Sequence, residues 1–157
     1  MKTIKILQSQ LDSKTLDATA LFISALEKAK KSEEGATIEF EKGVYHFYKE
    51  NAQSDICYTS NTDTARFPEK TIALNIKGHK NLTVEGSGSM FIMHGDMMAL
   101  RVLDSENVTL QNFSWDFPCA ATLEMDVIGG GKFYTDYYIP PCFGVEVKFN
   151  SLHMFEE

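Results

Sequence analysis

The chain lacks the features that several common classes of protein require. Its 157 residues include only 15 lysines and arginines against 22 aspartates and glutamates, which gives a formal net charge of −7. Such a balance offers no basic stripe for the phosphates of nucleic acid or of an anionic membrane. No apolar run reaches transmembrane length, and the opening MKTIKILQSQ has no apolar core of a signal peptide. The sequence therefore predicts neither nucleic-acid binding nor membrane insertion.

Cysteine is scarce as well. Cys57, Cys119 and Cys142 are odd in number and lack the spacing of metal ligands. We interpret them as buried thiols rather than as a disulfide or a zinc site. A phosphate-binding loop, a nucleophile elbow and a dinucleotide fingerprint are also missing from the sequence. We accordingly predict no metal and no cofactor.

An internal repeat is the most informative feature that is present. Residues 73–86 read ALNIKGHKNLTVEG and residues 99–112 read ALRVLDSENVTLQN. The offset of 26 residues is too long for a hairpin and typical of one coil of a right-handed parallel β-helix. Chance or two strands of a β-sandwich would also produce such a pair. The paired ends, Gly86 and Asn112, tolerate a left-handed turn. Asn81 and Asn107 lie in N-x-[ST] sequences, but their place in the repeat favours turn and ladder residues over glycosylation sites.

The remaining pattern predicts a helix, short strands and a loop. Apolar residues at helical spacing predict an amphipathic helix from Ser13 or Thr15 to Gly35, which can cover the end of a β-helix. Residues 49–70 are polar and predict a long loop. After Pro118, two alternating runs flank Gly129–Gly131 and predict a hairpin with one buried face.

We therefore predict a mainly β protein of two parts. Residues 1–120 form a cap helix and the first coils of a right-handed parallel β-helix, and 121–157 form a β-hairpin or small β-barrel insertion. No cap follows the last strand, so we expect the sequence to be the first part of a longer protein.

The order of several short runs resembles a known family. The helix and the turn GVYHF resemble the opening of the pectate-lyase-like β-helix superfamily, although Leu16-Asp17 stands where that pattern has two acids. The runs GVYHFY, YTSNTDTAR, NLTVEGSGSMFIMHG and NVTLQNFSWDFP resemble, in this order, the bacterial exo-α-1,3-galactosidases of glycoside hydrolase family 110. The resemblance extends over roughly residues 15–120, with Asp116-Phe117 in place of Asp-Trp.

This resemblance implies a carbohydrate-active enzyme that hydrolyses terminal α-1,3-linked galactose. It places the catalytic aspartates on coils beyond residue 157, so the catalytic residues are unknown here and we expect the fragment to be inactive. The implied partner is a galactose-containing glycan. The implied location of the full-length protein is secreted, periplasmic or cell-surface, and the oligomeric state stays open. A non-catalytic β-helical binding or structural module and a polysaccharide lyase are the alternatives.

Five residues are candidates for substrate binding: His94, Asp116, Asn61, Asp63 and Arg66. His94 either bonds a sugar hydroxyl or satisfies backbone groups in a turn. Asp116, between two aromatic residues, either contacts a sugar or caps a turn. The three loop residues either form a polar pocket wall or belong to Asx turns and the surface.

Glycoside hydrolysis needs two carboxyl groups, roughly 5 to 9.5 Å apart. On stacked coils such pairs come from one column of residues. At the 26-residue offset, Asp116 falls beside Met90 and Glu85 beside Gln111. The sequence therefore predicts no stacked acid pair in this segment.

Overall fold

The computed structural model describes residues 1–58, 68–119 and 125–156. The chain divides into two compact units, Met1–Asp116 and Phe117–Glu157. The protein is mainly β, as predicted, and parallel strands dominate the first unit. The boundary at residue 120 that the sequence suggested stays a prediction. Within the described residues, no helix is long and apolar enough to cross a membrane.

The first unit contains one helix and eight strands among the described residues. They are β1 (Lys2–Ile6), α1 (Thr19–Lys30), β2 (Ala36–Phe40), β3 (Val44–Tyr48), β4 (Gln53–Ile56), β5 (Glu69–Lys77), β6 (Lys80–His94), β7 (Met98–Leu103) and β8 (Glu106–Asp116). Short 3-10 turns lie at Gln8–Gln10 and Lys49–Asn51.

The long strand β6 organises the larger sheet. Its first half pairs in parallel with β2 and its second half with β3, while β8 pairs in parallel along its other edge and β1 extends the sheet beyond β2. In the smaller sheet, β5 pairs in parallel with β7 and antiparallel with β4. The predicted 26-residue register is confirmed in both sheets, because Leu82 lies beside Val108 and Leu74 beside Leu100.

Asparagines occupy the corners where strands begin. Asn81 and Asn107 have φ angles of 52° and 54°, in the left-handed region that asparagine tolerates. Asn107 Nδ2 donates to Asn81 Oδ1 at 2.7 Å, so the two side chains form the predicted ladder. Asn112 is also left-handed, with φ 59°.

The matching expectation for Gly86 is wrong. The left-handed residues at that corner are Ser87 and Gly88. Gly86 is needed for close packing instead, since a Cβ there would lie 2.5 Å from Phe113 Cβ. Beyond this corner the register between β6 and β8 changes. Asp116 consequently pairs with Ile92, and its predicted neighbour Met90 pairs with Ser114.

The predicted helix is confirmed but is shorter than expected. It begins at Thr19, and the side chain that binds its first turn is Asp17 rather than Ser13 or Thr15, because Asp17 Oδ1 accepts from the Thr19 N–H at 2.8 Å. Its buried face packs on an aromatic core shared with β2, β3 and β6. The fully buried aromatic residues there are Phe22, Phe40, Tyr45, Phe47 and Phe91.

The sequence pattern did not predict two of the strands. The opening run KTIKI is β1, which pairs in parallel with β2. The predicted loop 49–70 contains β4, whose residue Gln53 pairs with Ile72. Neither strand is longer than five residues, and strands this short carry little periodicity.

The last strands of the first unit leave their inward faces partly uncovered. Along one column, Tyr45 pairs with Phe91 and Phe91 with Trp115. The first two are fully buried, whereas Trp115 is 48% exposed. Val102 on β7 is exposed by 44%. The apolar column therefore continues to the edge of the described stack.

The second unit contains two antiparallel hairpins. They are formed by β9 (Asp126–Gly131) with β10 (Tyr134–Tyr138), and by β11 (Phe143–Lys148) with β12 (Ser151–Glu156). The first hairpin is confirmed, but its glycines lie inside β9 and the turn is at Lys132-Phe133. The expected buried face is wrong, because every residue of β10 is exposed.

The cysteines also differ from the prediction. Cys119 and Cys142 form a disulfide within the second unit, and their Cα atoms are 5.8 Å apart. Cys57 is a free, partly exposed thiol. An odd count is compatible with one bridge and one free thiol, and a separation of 23 residues leaves no signature in the sequence.

Candidate functional site

A cluster of rings lies on the outward face of β3 and β6, at their carboxyl ends. We call it the ring cluster: His46, Tyr48 and His94. Along β3, Tyr45 and Phe47 face the core and are fully buried, so His46 and Tyr48 face outward. The parallel register sets Tyr48 beside His94. Alternation along two neighbouring strands thus brings the three rings together.

The two histidines are in direct contact. His46 Nδ1 and His94 Nε2 are 2.6 Å apart, so one nitrogen donates a proton to the other. Their ring centroids are 4.9 Å apart with planes inclined by 18°. His94 is the last residue of β6 and its ring partners are side chains. The interpretation of His94 as a turn residue that satisfies backbone groups is therefore not what the structure shows.

Tyr48 completes the stack. Its ring lies 4.3 Å from the His94 ring, and the two planes are within 8° of parallel. The Tyr48 hydroxyl donates to the main-chain oxygen of Thr15 at 3.2 Å. Because stacked rings cover one another's faces, the cluster presents ring edges and nitrogen atoms, rather than an open aromatic face, to a ligand.

Asp17 holds the chain that precedes α1 against this cluster. Asp17 forms a parallel bridge with His46, and its Oδ1 accepts from both the N–H and the hydroxyl of Thr19. Its Oδ2 accepts from Asn51 Nδ2 at 2.8 Å. Both carboxylate oxygens are thus bound by the protein. Asp17 is a positioning group rather than a free acid.

Burial lowers the pKa of His46, the neighbouring His94 lowers it further, and Asp17 acts in the opposite direction. His46 is therefore neutral at pH 7, and a neutral imidazole has one donor and one acceptor nitrogen. Because Nδ1 of His46 is hydrogen-bonded to His94, its Nε2 is the nitrogen that can bind a hydroxyl or a backbone group.

Asp116 lies on the same outward face as the ring cluster. It ends β8 and pairs with Ile92, two residues before His94, so the structure brings these two candidates onto neighbouring strands. Trp115 faces the other way, into the partly uncovered apolar column. The other candidates, Asn61, Asp63 and Arg66, lie outside the described residues. The substrate-binding roles of all five stay predictions.

The structure contains a stacked acid pair that the sequence analysis missed. Glu39 on β2 pairs directly with Glu85 on β6. The offset is 46 residues rather than 26, so the repeat could not reveal it. Lys5 on β1 pairs with Glu39 on the other side and places a positive charge in the same column.

The carboxylate of Glu85 is hydrogen-bonded to the turn that follows it and to the neighbouring strand β8. Its oxygens accept from the Ser87 N–H at 2.7 Å, from Gln111 Nε2 at 2.8 Å and from Asn112 Nδ2 at 2.9 Å. The Ser87 bond, then those from Gln111 and Asn112, lower the pKa of Glu85. A carboxylate held in its charged form does not act as a general acid near neutral pH. The pair is therefore structural in the described residues.

The described part of the first unit thus offers the neutral imidazole of His46, the His94 ring beside it and an outward carboxylate, but no pair of acids free of other bonds. Among the described residues, no three histidine, cysteine, aspartate or glutamate side chains are grouped to hold a metal ion. His46, the partner of His94, was missed because the 48-residue separation is visible only once β3 is aligned with β6. The alternation in VYHFY, which places His46 and Tyr48 on one face, was the available signal.

Comparison with known proteins gives consistent relatives. No family model matches the chain. It is 36% identical over 120 residues to α-1,3-galactosidase B of Phocaeicola vulgatus, which covers 76% of this chain and 19% of that protein. It is 32% identical over 144 residues to α-1,3-galactosidase A of Streptomyces avermitilis, covering 88% and 23% of the two chains. The corresponding enzyme of Shewanella woodyi is 34% identical over 131 residues, covering 80% and 21%.

The chain therefore spans about a fifth of the length of the curated relatives it matches. All three relatives are α-1,3-galactosidases, of type A or type B, and each alignment covers three quarters or more of this chain. The resemblance noted from the ordered runs GVYHFY, YTSNTDTAR, NLTVEGSGSMFIMHG and NVTLQNFSWDFP is confirmed. By sequence, this chain belongs to the family of the bacterial α-1,3-galactosidases.

Proposed function

We propose that the first unit forms the opening coils of a right-handed parallel β-helix in a glycosidase that hydrolyses terminal α-1,3-linked galactose. The observation that carries the proposal is the 32–36% identity to enzymes of that name over most of the chain. In that enzyme this chain supplies the cap, the scaffold and one wall of the cleft. We assign the activity to a protein of the relatives' full length, about a fifth of which the matched stretch covers.

The strand register supports a β-helix. Thr3, Thr37, Thr83 and Thr109 occupy one column across β1, β2, β6 and β8, as expected for successive coils. The 26-residue offset holds between β5 and β7 and between β6 and β8 as far as Glu85, so a single repeat contributes one strand to each sheet. The half-exposed Trp115 ends an apolar column that a further coil would bury, at roughly 25 cal/mol per Å² of apolar surface.

The ring cluster fits a supporting wall better than a catalytic centre. The neutral imidazole of His46 supplies one donor and one acceptor, which suit sugar hydroxyl groups, and His94 adds a second ring nitrogen edge. Two of the acids are already hydrogen-bonded within the protein: Asp17 binds the start of α1, and Glu85 binds the turn that follows it. We therefore propose that the chain alone does not cleave a galactoside. Asn61, Asp63 and Arg66 are proposed to extend the same wall.

Export of the parent protein is proposed on chemical grounds. Disulfides persist in secreted, periplasmic or surface proteins, where thiols are not kept reduced. The Cys119–Cys142 bridge supports that location.

The test combines the isolated chain with a chimera. The purified chain is incubated with p-nitrophenyl α-galactoside and with an α-1,3-linked galactobiose, and we expect no turnover. The matched 120 residues of the P. vulgatus enzyme are then replaced by those of this chain, and we expect a folded chimera that still hydrolyses the disaccharide. Turnover by the isolated chain would refute the scaffold role. A folded but inactive chimera would refute the placement in a galactosidase.

A variant of the chimera tests the wall. His94→Ala removes one ring from the cluster, whereas the control Lys42→Ala removes an exposed side chain from the turn between β2 and β3. We expect the first change to raise KM with little effect on kcat, because a wall residue contributes to binding rather than to chemistry. A kcat loss of a hundredfold or more would instead make His94 part of the reaction.

A further inference from the structure

A polar groove lies between α1 and the strands β4 and β5, within the first unit. Its volume is about 370 Å³, within the range of small-molecule sites. It shares no residue with the ring cluster and none with the acid pair. We call it the helix groove. The residues that carry the argument are Leu26, Glu27, Lys30, Asn75, Lys77 and His79.

His79 is the most unusual of these residues, because it is 96% buried and yet unpaired through its ring. Its main chain is fixed, since the His79 N–H donates to Ser105 Oγ and its oxygen accepts from the Glu106 N–H. The imidazole forms no hydrogen bond with any described residue. No buried side-chain nitrogen in the described residues lacks both a partner and solvent, so the ring nitrogens of His79 keep some contact with solvent, and His79 lines the helix groove. The imidazole is thus available to a ligand.

The floor of the groove is held rigid by an ion network. Asp55 Oδ2 accepts from Lys77 Nζ at 2.7 Å and from Arg101 Nη2. Lys77 and then Arg101 hold the pKa of Asp55 well below its usual range, so this carboxylate stays charged. Arg101 also donates twice to Asn75 Oδ1, at 3.1 and 2.9 Å. The carboxylate of Asp55 and the amide oxygen of Asn75, which are the acceptors on the floor of the groove, are therefore already hydrogen-bonded.

Donors remain available there. Asn75 uses its oxygen for Arg101, and its amide NH2 has no acceptor among the described residues. Lys77 has three N–H donors and uses one of them on Asp55. Lys30, on the last turn of α1, adds an ammonium group at the groove wall. Opposite them, Glu27 is the carboxylate of the groove without an assigned hydrogen bond.

The groove accordingly favours an anion with hydroxyl groups. Three cations, Lys30, Lys77 and the underlying Arg101, face two carboxylates, of which Asp55 is fully engaged. The partly exposed Ile23, beside the buried Leu26, supplies an apolar wall for the C–H face of a sugar ring. We propose that the helix groove binds a monosaccharide that carries a carboxylate, with the carboxylate between Lys30 and Lys77 and a hydroxyl on His79.

The protonation of His79 agrees with that role. Burial lowers the pKa of His79, Lys30 lowers it further, and Glu27 opposes the change. The ring is then neutral at pH 7 and offers one donor and one acceptor, which is the combination that a hydroxyl group uses.

The test is a titration of the whole chain with D-galacturonate, monitored by the imidazole ¹⁵N resonances of His79 and by backbone amide shifts. We expect saturable shifts at His79, Asn75 and Lys77, with a dissociation constant of about 1 mM for a ligand of this size. D-galactose and acetate are the comparison probes, and we expect each to bind at least tenfold more weakly. Equal binding of galactose, or no saturable shift with galacturonate, overturns the proposal.

A pair of charge-matched variants localises the site. Lys30→Gln removes an exposed ammonium group at the groove, and Lys28→Gln removes one from the same helix turn away from it. We expect the first to weaken galacturonate binding by about two- to fivefold and the second to leave it unchanged. Equal effects of the two variants would mean that the sugar follows the general charge of the helix, and would refute the site. This outcome is independent of galactosidase activity.

Discussion

The asparagine ladder allows the stacking register to be tested one residue at a time. Asn107→Ala makes two changes at the start of β8. It forces a residue with a Cβ into φ 54°, which costs about 1–2 kcal/mol, and it removes the bond to Asn81 Oδ1, which contributes about 0.5 kcal/mol at an exposed site. We expect the free energy of unfolding to fall by about 2 kcal/mol.

Asn107→Gly separates the two contributions. Glycine adopts the left-handed angle without steric cost but loses the side-chain bond and adds backbone entropy to the unfolded chain. The expected loss is about 1 kcal/mol, half that of the alanine variant. Glu106→Gln, next in sequence, removes an ion pair with Lys80 whose side chains are more than 70% exposed, and we expect a change below about 0.5 kcal/mol.

Urea unfolding followed by tryptophan fluorescence is the appropriate assay. The chain has a single tryptophan, Trp115, and it lies on β8 together with Asn107. The signal therefore reports the strand that the substitution perturbs. If Asn107→Gly proves as destabilising as Asn107→Ala, the left-handed backbone is not the cause. If neither variant has an effect, the asparagine ladder does not stabilise the stack.

Three further predictions concern single groups. Because the pKa of His46 is lowered in the folded chain, His46 takes up its proton in the unfolded chain first as the pH falls below about 6.5. The urea concentration at the unfolding midpoint should therefore be lower at pH 5 than at pH 7.5, and the difference should be smaller in His46→Gln. An equal difference in both proteins would contradict this. Glu39→Gln should raise stability by about 0.2–1 kcal/mol by removing the like charge beside Glu85, since no ion pair joins Glu39 to its other neighbour Lys5 in the described residues; a loss of stability would show that attraction to Lys5 outweighs the repulsion from Glu85. Iodoacetamide should label only Cys57 in the unfolded, unreduced chain and all three cysteines after reduction, whereas three labels before reduction would refute the disulfide.

The sequence predicted those parts of the fold that repeat at a constant interval. Leu74 with Leu100 and Leu82 with Val108 lie side by side as the offset requires. The pairing of Thr3 with Thr37 and of Thr37 with Thr83 was not predicted, because those offsets are 34 and 46 residues. Strand pairing decides which residues lie side by side. The number of residues in the chain between two such partners varies with the length of the intervening loops.

The same reason explains the partial prediction of the candidate site. His94 and Asp116 were selected for their own chemistry and lie on one face, but His46 and Glu39 depend on the 46-residue register of β2 and β3 with β6. The helix groove was missed because Arg101, Asp55 and His79 come from three separate segments. The hairpin turn was misplaced because three consecutive glycines signal flexibility more strongly than Lys132-Phe133, where the chain reverses.

The corner after Glu85 has a consequence for changes in chain length. Between two level pairs, Glu85 with Gln111 and Ser89 with Phe113, strand β6 uses three residues where β8 uses only Asn112. Two residues are thus accommodated without altering which side chains are stacked on either side. An insertion or deletion at Ser87-Gly88 would be absorbed locally, whereas the same change inside a strand would reverse every side chain beyond it. This corner is where an epitope or a reporter loop can be introduced into the sheet without changing the residues that are stacked on either side of it.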